Sequence, residues 1–126
     1  MAEKKFTKEH EWVEQSDQII IVGITEFAQD QLGDIVSIEL PQVSSSFKQN
    51  DVMAIIDSVK ASSDLYCPVD GEIIEINDKL SEHPELINQS PYEEGWIVKM
   101  KPSNPEQIDS LLSKEQYDEI VGQSKE

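Results

Sequence analysis

The chain reads as one mainly β domain with helices set at its periphery and C-terminal end. Three observations predict this. Short runs of alternating apolar and polar residues are punctuated by Gly, Pro, Asp and Ser. A strand signature recurs, as Gly33-Asp-Ile-Val-Ser-Ile-Glu39 and again as Gly71-Glu-Ile-Ile-Glu-Ile-Asn77. Helical spacing is strong only before Gly33 and after Asn104. At 126 residues the chain can bury one modest core but not two. The expectation is a single domain over 1–126, with a core at about 6–101 and a helical segment at about 104–122.

Taken in order, Phe6 to Glu14 and Gln18 to Ile24 predict strands, with Gln15-Ser16-Asp17 as the turn between them. Thr25 can cap a short helix through Leu32, and Gly33 can end it. Val36, Ile38 and Leu40 then share one face of a strand that Pro41 breaks. Ser44 to Ser46 predicts a loop. The two Gly-led copies flank a central hairpin; they read either as two similar strands in a pseudo-twofold pair of sheets or as a chance likeness between two Gly-led strands. Ser81 to Gln89 predicts mixed loop and a helical turn, interrupted by Pro84, and Gly95 to Lys101 a strand. Asn104, Pro105 and Gln107 make a helix start, with Ile108, Leu111 and Leu112 as its buried stripe. Ser113 to Gln116 starts a second helix, with Tyr117, Ile120 and Val121 inward and Gly122 as its stop.

Composition excludes several functions. The net charge is −16, and the ten cationic residues are all lysine. A nucleic-acid or anionic-membrane partner needs a basic surface that this chain does not offer. The charge confers solubility and steers the chain toward basic docking faces. No apolar run has the length of a membrane span, and the start has no signal-peptide core. A bacterial cytoplasmic location is the simplest expectation. Cys67 is the only cysteine, so no intramolecular disulfide is expected. It reads as a half-buried thiol in an extended apolar run.

The central hairpin carries the chemistry. Val52 to Ile56 runs in, Leu65 to Val69 runs out toward a turn at Asp70-Gly71, and a polar stretch with a lone Lys60 lies between. A lysine at a hairpin tip has its amine in solvent and its backbone fixed. That suits a side chain that is to be modified and then swung between sites. The plain alternative is a solvated turn lysine.

Here the sequence resembles a known family. Asp57-Ser-Val-Lys60-Ala-Ser-Ser-Asp64, followed by Pro68-Val-Asp-Gly71-Glu-Ile-Ile-Glu-Ile-Asn77, is similar to the lipoyl-attachment region of the glycine cleavage H-protein family. So are Lys8-Glu-His-Glu-Trp-Val13, Gly23 through Asp34, and Leu86-Ile-Asn-Gln-Ser-Pro-Tyr-Glu-Glu-Gly-Trp96. The matches span nearly the whole chain in the family's order. The resemblance implies a barrel-sandwich hybrid, the fold of lipoyl and biotinyl carriers. It implies lipoate joined covalently to Lys60. Biotin carriers typically place methionine on both sides of the lysine, whereas this chain has Val59 and Ala61. The family usually has Glu at position 57; Asp57 keeps the charge and shortens the reach.

The resemblance also implies that the loaded arm folds into a cleft where Glu11 and Asp64 lie near an aminomethyl group. A protonated amine favours carboxylate acceptors, most strongly where water is excluded. The plain alternatives are a surface strand position for Glu11 and a turn cap for Asp64. The implied partners are glycine decarboxylase (P protein), aminomethyltransferase (T protein), dihydrolipoamide dehydrogenase (L protein) and a lipoyl or octanoyl transferase or lipoate ligase. The chain is then a carrier and not an enzyme. It shuttles the aminomethyl group of glycine from the decarboxylase to the aminomethyltransferase. Some family members relay octanoyl or lipoyl groups to other complexes, which is the alternative use of the same lysine. His10 and His83 lack ligand spacing, so no metal site is expected. No catalytic Ser/His/Asp or Cys/His arrangement is legible.

Overall fold

The computed structural model describes residues 4–124. Nine strands and five short helices form among the described residues. The mainly β architecture matches the expected fold class. Six strands make one sheet, in the order β1 (Lys4–Phe6), β2 (Glu11–Ser16), β3 (Ile19–Ile24), β9 (Val98–Pro102), β8 (Gly71–Ile76) and β5 (Ser46–Phe47). Three make the other: β4 (Ile35–Glu39), β6 (Val52–Ser58) and β7 (Ser62–Tyr66). Every strand pairing among the described residues is antiparallel.

The single strand expected over Phe6 to Glu14 is two strands. Between them Thr7 to His10 folds into a tight turn, with Thr7 N–H donating to Glu11 O at 3.0 Å and His10 N–H to Thr7 O at 3.1 Å. His10 takes a φ of 70°, rare for a residue with a side chain. The next turn, expected over Gln15 to Asp17, is Asp17-Gln18, because β2 runs on through Gln15 and Ser16; the φ of Asp17 is 56°. Ser46, expected in a loop, begins β5.

Helix α1 (Glu26–Leu32) starts and stops where the sequence places it. Thr25 Oγ1 accepts from Ala28 N–H at 3.2 Å, and Gly33 ends the helix with a φ of 76°. Two short helices, α2 (Lys79–Glu82) and α3 (Leu86–Gln89), lie on either side of Pro84. Near the C-terminus α4 (Glu106–Asp109) has no side-chain cap. Gln107, expected to complete a cap, instead accepts from Asp70 N–H at 2.7 Å. Helix α5 (Lys114–Ser124) does carry a capping box: Ser113 Oγ accepts from Gln116 N–H, and Gln116 Oε1 accepts from Ser113 N–H. It runs through Gly122, which was expected to stop it.

Apolar side chains from both sheets fill one core, including Val22, Ile38, Ile56, Leu65, Ile73 and Met100. A second cluster, Phe6, Trp12 and Tyr117, lies under α5. Phe6 and Tyr117 stack with centroids 4.8 Å apart, and Phe6 exchanges both backbone hydrogen bonds with Leu112 at 2.8 Å. Tyr117 Oη also meets Thr25 Oγ1 at 2.6 Å and His10 Nδ1 at 2.8 Å. This second cluster fastens the C-terminal helix to the edge of the larger sheet.

The two Gly-led copies fall in different sheets and use glycine for different reasons. Gly33 needs its left-handed backbone, whereas at Gly71 a Cβ would lie 2.7 Å from Lys101 O. Gly23 is constrained by a neighbour instead. It pairs with Trp12 across β2 and β3, and a Cβ there would lie 2.7 Å from Trp12 Nε1. That nitrogen donates to Pro91 O at 2.8 Å, so the indole has no free direction to yield. Gly23→Ala is expected to cost about 2–3 kcal/mol in urea unfolding, as overpacking of a filled site does. A loss below about 0.5 kcal/mol would show that the indole moves freely.

Candidate functional site

The hairpin that carries Lys60 is longer than the apolar runs implied. β6 and β7 extend to Ser58 and Ser62, leaving only Val59 to Ala61 as its tip. One serine holds that tip. Ser58 Oγ accepts from Lys60 N–H at 3.2 Å and Ala61 N–H at 3.1 Å, and it donates to Ala61 O at 3.0 Å. Ser58 N–H also donates to Ala61 O, at 2.8 Å. The backbone around the lysine is therefore fixed, while Lys60 itself is exposed. Among the described residues its amine forms no ion pair. The stem crosses Gly33, where Lys60 Cε lies 3.2 Å from the position of a Cβ.

Asp57 sits just before the tip, and its carboxylate accepts from Ser37 Oγ at 3.2 Å and from Ser62 Oγ. Two hydroxyls thus hold the shorter acid in place.

Glu11 is not a surface residue. It begins β2 and is 2% exposed. Thr7 Oγ1 donates to its Oε1 at 2.5 Å, and Tyr66 N–H donates to its Oε2 at 3.2 Å. Burial pushes its carboxyl from the ordinary 4.5 up to about 7, and the two hydrogen bonds oppose that rise. Glu11 faces a cavity of about 210 Å³, shared with Thr7, Gln49, Cys67, Leu111 and Leu112. The C-terminal segment therefore forms one wall of the Glu11 cavity.

Asp64 is exposed on β7, opposite Ile55, and is not a turn cap. It shares a strand face with Tyr66, the residue whose N–H reaches Glu11. Glu11 is thus buried at the Tyr66 end of β7, and Asp64 is exposed at the middle of that strand. Neither Asp64 nor Lys60 lines the Glu11 cavity.

Cys67 was expected to be half-buried; it is fully buried. Its thiol donates to Val69 O at 2.9 Å, and burial pushes it up to about 12. It stays protonated and unreactive at neutral pH. His10 is occupied by Tyr117 and packs against Phe27, with ring centroids 4.7 Å apart. Burial lowers its pKa. His83 pairs with Glu85 at 3.1 Å.

Sequence reasoning gave no role to Thr7 or Asn88. Thr7 lies four residues before Glu11, a spacing with meaning only once the turn is known. Asn88 Oδ1 accepts from Ile35 N–H at 2.9 Å, and its Nδ2 donates to Gly33 O at 2.8 Å and Gln29 Oε1 at 2.9 Å. All three of these bonds cross more than fifty positions, so no local pattern announces them.

Comparison with known proteins shows the family. Residues 4–124 match the model of the family described as glycine cleavage H-protein. The glycine cleavage system H protein of Symbiobacterium thermophilum is 55% identical over 117 residues, covering 93% of this chain and 91% of that one. The protein of the same name from Staphylococcus epidermidis is 45% identical over 122 residues, covering 97% of each chain. The crystal structure of a glycine cleavage system H protein from Mycobacterium marinum superposes with a TM-score of 0.86 at 30% identity, over 98% of each chain. The family match takes in every strand and helix described above, and the chain belongs to the glycine cleavage H-protein family.

Proposed function

We propose that Lys60 is where this lipoyl carrier of the glycine cleavage system receives its lipoate, and that Glu11 and Asp64 attend the cargo. The observation that carries the reading is the hairpin tip: a fixed backbone, an exposed stem and an amine without a carboxylate partner among the described residues. Such an amine can lose its proton and be acylated without first breaking an ion pair.

The residues present fit a lipoyl group. From Ser62 to Tyr66, β7 covers ~13 Å at the usual rise per residue. A lysine extended by a lipoyl chain, roughly a dozen bonds of ~1.5 Å, has a comparable reach. Lipoate in amide linkage supplies a disulfide that takes up a one-carbon amine and is later restored by oxidation of the dithiol. The chain's own part is to hold, shield and present. Ser58 fixes the tip, Gly33 leaves room for the stem, and buried Glu11 offers a carboxylate where water is scarce. Asp64 adds a second, exposed charge on the way. A cationic amine near Glu11 would pull its raised pKa down and hold it ionised.

The protein is thus a carrier and not a catalyst. Its proposed partners are glycine decarboxylase, aminomethyltransferase, dihydrolipoamide dehydrogenase and the enzyme that attaches lipoate, acting in a bacterial cytoplasm on a single domain of residues 1–126. Among the described residues no helix is long and apolar enough to cross a membrane. Intact-mass analysis of protein purified from its native host tests the central assignment. The expected result is a gain of one lipoyl group on the peptide containing Lys60. Unmodified Lys60 from lipoate-replete cells would overturn it.

A further inference from the structure

We infer that the segment Gly33 to Val36, clamped by Asn88, is a second recognition element for the enzyme that acylates Lys60. This rests on Lys60 being the attachment site. Three observations join the segment to the lysine. Val59 N–H donates to Asp34 O at 3.0 Å, which extends the pairing of β4 and β6 past Ile35 and Ser58 to the hairpin tip. Gly33 then lies under the Lys60 stem. Asn88 bonds both ends of the bend, at Gly33 O and at Ile35 N–H, and so fixes the carbonyl of Asp34 between them.

The same bend presents a mixed surface. A register shift between Ile35 and Ser37 bulges β4 at Val36. Val36 is 53% exposed and Val59 is 66% exposed. Bulges re-aim side chains in this way. Asp34, just before β4, is exposed where its carbonyl meets Val59, and Asp57 is half-buried on β6 opposite Ser37. The occupant that fits is an acyltransferase or ligase face with an apolar contact for the two valines and cationic groups for the acids. The net charge of −16, with no arginine, favours a basic partner over an acidic one. In the step itself, the neutral Nζ attacks an activated acyl carbonyl. The N–C amide bond forms, the bond from carbonyl carbon to the activating group breaks, and Nζ gives up one proton. Only a correctly oriented hairpin delivers Nζ to that carbonyl.

The test uses unmodified full-length protein with a purified lipoate–protein ligase, lipoate and ATP, followed by intact mass. Asn88→Ala and Val36→Ser are compared with the parent, and Val36→Ile serves as the conservative variant. Acetic anhydride, which needs no docking, reports the intrinsic reactivity of Lys60 in the same samples when acetylation is quantified on the peptide containing Lys60. We expect kcat/KM for the ligase to fall at least tenfold in Asn88→Ala and Val36→Ser and to recover in Val36→Ile, with anhydride rates within twofold of the parent. Val36 is exposed, so Val36→Ser keeps the question answerable if Asn88→Ala fails to fold. Equal ligase rates in folded variants, or equal losses with ligase and anhydride, would overturn the inference while leaving Lys60 as the attachment site. A parent protein that gains no lipoyl group would overturn both.

Discussion

Lys60→Arg is expected to give a folded protein that takes up no lipoate and carries nothing. The side chain is exposed and, among the described residues, forms no ion pair, so its loss breaks none. Arginine methylenes can lie over Gly33 as the lysine stem does. Stability should therefore stay within about 0.5 kcal/mol of the parent, the usual range for an exposed position. Function should not survive. A guanidinium stays protonated at any working pH and does not form the amide that a neutral lysine amine forms. Intact mass after incubation with ligase should show no adduct, and glycine-dependent turnover in the reconstituted system should fall to the level without carrier. Residual turnover well above that level would mean that the fold, and not the arm, carries the activity. Unfolding of the variant would instead mean that Lys60 holds the hairpin together.

The hairpin was legible because its signal is local: an apolar run, a polar stretch and a second apolar run. The start and stop of α1 were legible for the same reason, with Thr25 and Gly33 at the positions their chemistry requires. So was the capping box at Ser113 and Gln116. The break at Thr7 to His10 was not. It contains no Gly or Pro, and its unusual residue, His10, is held by distant groups: Thr25 N–H donates to His10 O at 3.0 Å, and Tyr117 meets its ring. Alternation also fails in β2. Glu11, Trp12 and Val13 are all buried, because the main core covers one face and the Phe6, Trp12 and Tyr117 cluster covers the other. A strand covered on both faces loses the period-two pattern that exposes polar residues. The burial of Glu11 follows from this packing, and the sequence holds no local trace of it. The clamp at Asn88 was hidden for a related reason, since α3 meets the start of β4 only in the folded chain.

Glu11→Gln should remove one pH dependence of stability, and its size makes the loss measurable. Burial raises the Glu11 carboxyl from 4.5 to about 7. Between those values the native state keeps a proton that the unfolded state has released. By linkage, the contribution of this group to stability is fully present below about 4.5 and is lost as pH rises through about 7. At ~1.4 kcal/mol per pKa unit, the loss is on the order of 3 kcal/mol. Glutamine does not titrate, and it can still accept the Tyr66 N–H. Its amide meets Thr7 Oγ1, which already accepts from Glu9 and Glu11 N–H at 3.2 and 3.1 Å. The variant therefore has a constant penalty of about 1 kcal/mol for the disturbed hydroxyl bond. Urea unfolding should find it less stable than the parent near pH 4.5 and more stable at pH 8. The same substitution should shorten the life of an amine cargo in water, because an ammonium loses its buried counter-charge, while lipoylation at Lys60, on the hairpin tip, proceeds unchanged. Parallel stability profiles from pH 4.5 to 8 would show that Glu11 titrates as it does in the unfolded chain. An unaltered cargo lifetime would separate its burial from any part in carriage.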